Sequence, residues 1–245
     1  MDLRLVAVQI VRKALTAVGR GGSLPGRLAL KMDPHFIEKF HMPKHVILVT
    51  GTNGKTTTSN LIARSLMQAG LKVINNSRGD NLNVGIASLL AANSDTSFHV
   101  QADAAVIEVD ELTLYRQFKA LRPTALVVNN FFRDQLDRAG EMETIIRKIE
   151  EVTADFEGDL IMNGDDPNVV RIANHAKKAK VHFFSVGKND VSQKTTNEAS
   201  EGKFCPECGS RLVYDYYQYS HIGRFVCLSC QFGKISPYTY VSEID

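Results

Sequence analysis

The sequence lacks any hydrophobic run long enough to cross a membrane. Its apolar stretches, such as 46–49 and 104–107, are far below the roughly 20 residues that a membrane-spanning helix needs. The N-terminus also lacks the uninterrupted apolar core and small-residue cleavage site of a secretory signal, because Gln9, Arg12 and Lys13 break its apolar residues. We therefore expect a protein that stays in the cytosol.

The chain also carries little net charge. Lys and Arg number 29 and Asp and Glu number 27 among 245 residues, which gives +2 at pH 7. This balance provides no overall polyanion-binding surface and argues against nucleic acid as a partner. Apolar residues make up 44% of the sequence and charged residues 23%, as is typical of a globular protein with a real core.

Cysteine is missing from the first 204 residues. The four cysteines form two Cys-x-x-Cys pairs, Cys205/Cys208 and Cys227/Cys230, which the residues 209–226 separate. In a reducing compartment this spacing favours metal ligands over disulfides, and four thiolates favour structural Zn²⁺. The alternatives are four ordinary thiols without a metal, and iron in the same ligands.

The order of the apolar runs predicts an α/β fold, with a mostly parallel sheet and helices on both faces. Residues 3–18 form a basic amphipathic helix that either docks on its own domain or lies on a membrane or partner surface. The glycine-rich segment 19–26 is predicted as a loop. Strands are predicted at 46–49, 72–75, 104–109, 125–129, 160–162 and 181–185, and helices at 56–68, 112–121, 141–154 and 168–178.

The predicted organisation has five parts. These are an N-terminal helix and loop (1–42), an α/β domain (43–187), a polar linker (188–203), a four-cysteine zinc ribbon (204–235) and a tail (236–245).

Residues 46–57 have the pattern of a phosphate-binding loop. The buried strand VILV runs into TGTNGKTT, where a helix is predicted to begin. Glycine lets backbone N–H groups converge on phosphate oxygens, and the helix N-terminus adds partial positive charge. Lys55 can then reach the β- and γ-phosphates and Thr56 can ligate Mg²⁺, so ATP and Mg²⁺ are the expected cofactors. A structural turn before a helix is the alternative.

Acidic residues end the predicted strand 104–109. Glu108, Asp110 and Glu111 fall at the carboxyl edge of the sheet, where α/β proteins bind ligands, and a P-loop needs a carboxylate for its metal. Spacing does not choose among the three acids. A helix cap or a solvated surface position is the alternative for each.

Two further polar clusters also follow strands. Residues 129–138 either bind a metal, a phosphate or a substrate, or form an Arg–Asp network that fixes a loop. For residues 163–167, spacing alone favours capping of the next helix. The candidates in these clusters are Asn130, Asp134, Asp137, Asn163 and Asp166.

These motifs resemble, in order, those of Mur ligases over residues 43–186. The four-cysteine segment and the stretch GRGG…LPGRLALKMDP (19–34) narrow the resemblance to the synthetase subunits of lipid II isoglutaminyl synthases. The resemblance implies ATP-dependent amidation of the D-glutamate α-carboxylate of the lipid II stem peptide through an acyl phosphate. It also implies a heterodimer with a separate GatD-type glutaminase subunit, which supplies ammonia.

The resemblance assigns roles to the candidate residues. Catalytic roles fall to Lys55, Glu108, Asp134 and Asp137, and Mg²⁺ ligation to Thr56 and Glu108. Zn²⁺ ligation falls to the four cysteines. Nucleotide contacts are implied for Gly51, Thr52, Asn53, Gly54, Lys55, Thr56, Thr57, Asn130, Asn163 and Asp166.

The sequence departs from the family pattern in two ways. Many Mur ligases have D-H-L-D where this chain has Gln135 between the aspartates, so no histidine ligand for a second metal is implied. Family members also continue past the ribbon into a further domain, so we expect an incomplete synthetase subunit. The alternatives are a folylpolyglutamate-type or other Mur-like amide ligase, and a P-loop switch whose ribbon binds nucleic acid.

Overall fold

The computed structural model describes residues 2–17, 23–132, 140–196, 202–235 and 239–241. The chain divides into two compact units, Met1–Leu126 and Val127–Asp245. Within the described ranges, no helix combines the length and the hydropathy that spanning a membrane requires.

The first unit is built around three parallel strands. In chain order the elements are α1 (Leu3–Ala17), α2 (Leu24–Met32), a 3₁₀ helix (Phe36–Lys39), β1 (His45–Thr50), α3 (Lys55–Gln68), β2 (Val73–Asn75), α4 (Asn83–Ala92), β3 (Ala104–Glu108) and α5 (Glu111–Leu121). Strands β1 and β2 both pair with β3, which is buried along its whole length. Helix α3 packs against all three strands and α5 packs against β1.

Helix α1 docks on its own unit, which is the first of the two alternatives that its sequence left open. Leu5 and Val8 are fully buried, and α1 packs against α2 and α4. The Gln9 amide donates to the backbone carbonyls of Ala91 (3.1 Å) and Ser94 (3.0 Å) at the end of α4. Apolar burial and these hydrogen bonds together hold the helix.

The predicted loop at 19–26 is wrong at its C-terminal end. Leu24, Pro25 and Gly26 form the first turn of α2, where proline suits the start of a helix. The backbone N–H of Gly26 donates to Ser88 Oγ (2.7 Å), and a Cβ on Gly26 would lie 1.9 Å from the carbonyl oxygen of Val84. The glycine is therefore needed for the close approach of α2 to α4 rather than for a loop.

The second unit contains parallel strands and a hairpin. Its elements are α6 (Glu141–Thr153), β5 (Asp159–Asn163), α7 (Pro167–His175), β6 (Lys180–Val186), β7 (Val213–Tyr219), β8 (Ile222–Val226) and β9 (Thr239–Val241), and β4 (Ala125–Val128) spans the boundary between the two ranges. Strand β6 pairs in parallel with β5 and β9, and β7 pairs antiparallel with β8.

The parallel pairing and the alternation of strands with helices confirm the predicted α/β class. Two segments have more structure than their composition suggests. Gln193, in the predicted linker, exchanges two backbone hydrogen bonds with Tyr217 of β7 (2.8 Å each), and β9 lies within the predicted tail.

We predict that Leu5→Ala lowers the free energy of unfolding of the chain by about 3 kcal/mol, because it leaves a cavity under α1. Ile10→Ala on the same helix is the control, since Ile10 is 61% exposed and its loss should cost no more than about 0.5 kcal/mol. Urea unfolding followed by far-UV circular dichroism measures both. Equal effects of the two variants would contradict the docked position of α1.

Candidate functional site

The loop between β1 and α3 has the backbone shape of an anion cradle. Gly51 and Gly54 have φ values of +121° and +79°, in the region that side chains with a Cβ rarely adopt. Gly54 is the residue before the first turn of α3, and as a glycine it has no side chain that could cap that turn. The first N–H groups of α3 therefore point to a position where a phosphate group can accept them.

A buried carboxylate lies beside this helix start. Glu108, at the end of β3, is only 2% exposed. Its Oε2 accepts a hydrogen bond from Thr56 Oγ1 (2.7 Å), and its Oε1 accepts one from Asn81 Nδ2 (3.0 Å). The Asn76 amide group exchanges two hydrogen bonds of 2.8 Å with the backbone N–H and carbonyl of Glu108. The position of this carboxylate is thus fixed at both its side chain and its backbone.

The structure gives different contacts to Glu108, Asp110 and Glu111, among which the sequence spacing did not choose. Glu108 contacts Thr56, as described. Asp110 caps α5, where its Oδ1 accepts from the backbone N–H groups two and three residues later, at 3.1 and 3.2 Å. Glu111 lies 3.5 Å from Lys55 Nζ. Burial raises the pKa of the Glu111 carboxyl, and the nearby Lys55 ammonium opposes that shift.

The loop and Glu108 line one open cleft of about 390 Å³ in the first unit. Lys55 Nζ donates to the backbone carbonyls of Gly51 (2.5 Å) and Thr52 (3.2 Å) at its edge. A Cβ on Gly79, whose φ is +77°, would lie 3.4 Å from Thr56 Oγ1, so the segment before α4 also approaches the cleft closely. The cleft is lined by Thr52, Asn53, Gly54, Lys55, Thr56, Thr57, Asn81 and Glu108.

Sequence reasoning missed Asn81. It lies in an asparagine-rich stretch, residues 75–83, that belongs to no recognisable motif. The contact between Asn81 and Glu108 joins residues 27 positions apart, so no local sequence pattern predicts it.

The other candidates lie in the second unit. The side chain of Asn163 donates to the backbone carbonyl of Asn129 (2.8 Å), and Asn130 is 7% exposed. Asp166 is fully buried and caps α7, because its Oδ1 accepts from the N–H of Asn168 (2.8 Å). This geometry matches the capping alternative for Asp166. Asp134 and Asp137 lie outside the described residues.

The four cysteines converge on one point. All four sulfur atoms lie within 4.8 Å of one another, with Cys205 Sγ 3.6 Å from Cys230 Sγ and Cys208 Sγ 3.5 Å from Cys227 Sγ. Zn–S bonds of about 2.3 Å in a tetrahedron put sulfurs about 3.8 Å apart, so the cluster fits a Zn²⁺ ion. Hydrogen bonding from Ser210 lowers the pKa of the Cys208 thiol to about 6, whereas burial raises the pKa of the Cys205 thiol, so the thiols of the cluster differ in acidity.

Comparison with known proteins identifies the family to which the chain belongs. Residues 49–224 match the Mur ligase middle domain, and the chain belongs to the Mur ligase family. The resemblance to Mur ligases is therefore confirmed. The crystal structure I of MurF from Acinetobacter baumannii matches with a TM-score of 0.50 and 22% identity, over 68% of this chain and 36% of that one. This match shows the fold alone.

Curated relatives narrow the comparison further. The chain is 36% identical over 239 residues to the lipid II isoglutaminyl synthase (glutamine-hydrolyzing) subunit MurT of Staphylococcus aureus (strain COL), covering 97% of this chain and 53% of that protein. The subunit of the same name from Streptococcus pneumoniae (strain ATCC BAA-255 / R6) is 32% identical, over 93% of this chain and 50% of that protein. The chain thus spans about half the length of the curated relatives it matches.

We predict that Asp110→Ala lowers the free energy of unfolding by about 1 kcal/mol, because α5 loses its N-terminal cap. Asp110→Ser is the matched variant, since serine also caps helices and should retain most of that stability. Chemical denaturation measures both. Equal stability of the alanine and serine variants would contradict the capping role.

Proposed function

We propose that this chain belongs to the synthetase subunit of a lipid II isoglutaminyl synthase. The proposed reaction amidates the α-carboxylate of D-glutamate in the lipid II stem peptide. The observation that carries the proposal is the Thr56–Glu108 hydrogen bond at the start of the helix that follows TGTNGKTT. The 36% identity to a MurT subunit over 97% of the chain supports the choice of substrate.

ATP is the proposed phosphoryl donor. We propose that its phosphates accept hydrogen bonds from the N–H groups of the loop 51–57 and interact with the Lys55 ammonium. Thr56 and Glu108 offer the hydroxyl and carboxylate oxygens that Mg²⁺ prefers, and both line the cleft. When bound, Mg²⁺ supplies neutralisation of the charge on the phosphate oxygens.

The proposed chemistry has two displacements. A substrate carboxylate oxygen attacks the γ-phosphorus, the bond to ADP breaks, and an acyl phosphate forms. The nitrogen of ammonia then attacks the carbonyl carbon, phosphate leaves, and the nitrogen loses a proton to give the amide. The residues of the cleft position the reacting groups and neutralise their charge rather than form covalent bonds.

The other predicted residues complete the proposal. Asp134 and Asp137 are proposed to act on the metal or substrate side of the reaction. Asn130, Asn163 and Asp166 are proposed to lie near the nucleotide, and for Asp166 this role would be combined with the helix cap described above.

The ammonia is proposed to come from a separate, GatD-type glutaminase subunit in a heterodimer. The support is the cysteine inventory, because all four thiols of the chain lie in the metal-like cluster and none is left as a glutaminase nucleophile. Because lipid II is a membrane lipid, we propose that the complex works in the cytoplasm at the inner face of the membrane.

The cysteine cluster is proposed to hold one structural Zn²⁺. The sulfur spacing supports this metal, and four protein ligands leave no open position for a substrate. We therefore assign the ion to folding of the hairpin region and not to the amidation chemistry.

We predict that Lys55→Ala and Glu108→Gln each lower amidation at least about 100-fold. The first variant removes the positive charge that we propose neutralises the transferred phosphoryl group, and the second removes the carboxylate charge that we propose holds Mg²⁺. The assay is ATP-dependent amidation of lipid II by the synthetase–glutaminase complex with glutamine. Lys44→Ala, which removes an exposed charge outside the cleft, is the control and should retain full activity.

Three outcomes of that assay would contradict the proposal. Full amidation by Lys55→Ala would remove the loop from the mechanism. ATP turnover stimulated only by DNA or RNA would favour the nucleotide-switch alternative. Turnover with a folate and glutamate but not with lipid II would favour the folylpolyglutamate-type alternative.

We predict one zinc ion per chain by elemental analysis, and loss of that zinc in Cys227→Ser with a lower melting temperature. The physical reason is that Cys227 is a fully buried ligand, and metal binding contributes to folding of such a site. Ser229→Ala changes an exposed residue between Cys227 and Cys230 and should keep both zinc and stability. Iron in place of zinc, or no metal, would refute the assignment.

A further inference from the structure

The turn between β7 and β8 packs on the residues that follow β4, within the second unit. The ring of Phe132 stacks on Tyr219, with centroids 5.3 Å apart and planes 10° apart. The same ring lies against His221, with centroids 4.7 Å apart at 53°. Tyr219 at the end of β7 and His221 of the turn therefore hold the position of Phe132, two residues after Asn130.

The Asp166 carboxylate reaches the same segment from another side. Its Oδ2 accepts a hydrogen bond from the backbone N–H of Phe131 (2.7 Å) and lies 3.6 Å from His221 Nε2. Both Asp166 and His221 are completely buried. A buried carboxylate needs hydrogen-bonding or charged partners. Moving the turn or the segment would therefore deprive the Asp166 carboxylate of one of these partners.

The turn is also fixed by the core around the cysteines. Its residue Ser220 has a φ of +49°, a conformation that non-glycine residues rarely adopt. The backbone N–H of Gly223 donates to the carbonyl of Asp165 (3.0 Å). Below the turn, Phe225 and the buried cysteines Cys205 and Cys227 pack with Val170 of α7 in one apolar cluster.

We infer that Tyr219 and His221 are positioning residues for the amidation site, because they fix the segment 129–132 and with it Asn130. This inference rests on the proposed function, in which Asn130 lies near the nucleotide. The cysteine-bearing region then has a second task besides its own stability. It also holds the segment 129–132, which carries Asn130, in its position.

The test compares two tyrosines of the same strand in the synthetase–glutaminase complex. Tyr219→Leu removes the stack on Phe132, and Tyr219 is 50% exposed, so this variant keeps its fold. Tyr217→Leu is the control, because it removes an equivalent stack, on Tyr214 with centroids 4.2 Å apart. Tyr219→Phe keeps the ring and should rescue every effect.

Two measurements are made on each variant. Amide hydrogen exchange at Phe131 reports the position of the segment without any reaction, and kcat and KM for amidation report its use. For Tyr219→Leu we expect exchange about tenfold faster and kcat about tenfold lower, with KM for glutamine unchanged. Tyr217→Leu and Tyr219→Phe should change neither quantity.

Three results would overturn the inference. They are unchanged exchange in Tyr219→Leu, faster exchange with an unchanged kcat, and equal effects of Tyr217→Leu. Failure of the proposed function is recognised separately, because the unmodified complex would then not amidate lipid II, while the exchange rates would still report whether Tyr219 holds the segment.

Discussion

The parallel pairing of β1 with β3 is the constraint on which the candidate site depends. Parallel strands end at the same edge of a sheet, so the loop after β1 and the carboxylate at the end of β3 meet there. The Thr56–Glu108 hydrogen bond joins the two ends. Asn76 and Asn81, from the segment before α4, hold Glu108 in place by further hydrogen bonds. The start of α3, the Thr56 hydroxyl and the Glu108 carboxylate are thereby linked in one hydrogen-bonded group.

The second unit follows a different plan, in which one buried acid serves several elements. Asp166 caps α7, accepts from the segment after β4, and lies beside His221 of the hairpin turn. The hairpin itself is anchored by the cluster that contains Cys205 and Cys227. The cysteine region is thus continuous with the core of its unit, and its hairpin turn reaches the segment after β4 through that acid.

The regular elements that carry strong local signals were predictable. The strand expected at 46–49 is β1 (His45–Thr50), and the helix expected at 56–68 is α3 (Lys55–Gln68). Their ends differ by one residue because apolar pattern marks burial and not the last hydrogen bond. Helices α2 and α4 were missed, since the glycine and proline at the start of α2 imitate a loop and α4 is apolar on most of its surface.

The sequence by itself determined the glycine-containing turn between β1 and α3, the α/β class and the close spacing of the cysteines within each pair. Each depends on residues adjacent in the chain or on a fixed short spacing. Only the tertiary structure decided which of three neighbouring acids meets Thr56, that Asn81 joins it, and that His221 approaches Asp166. Those contacts link residues 27 to 55 positions apart. Packing of whole strands and helices brings such residues together, and no local pattern of side chains encodes that packing.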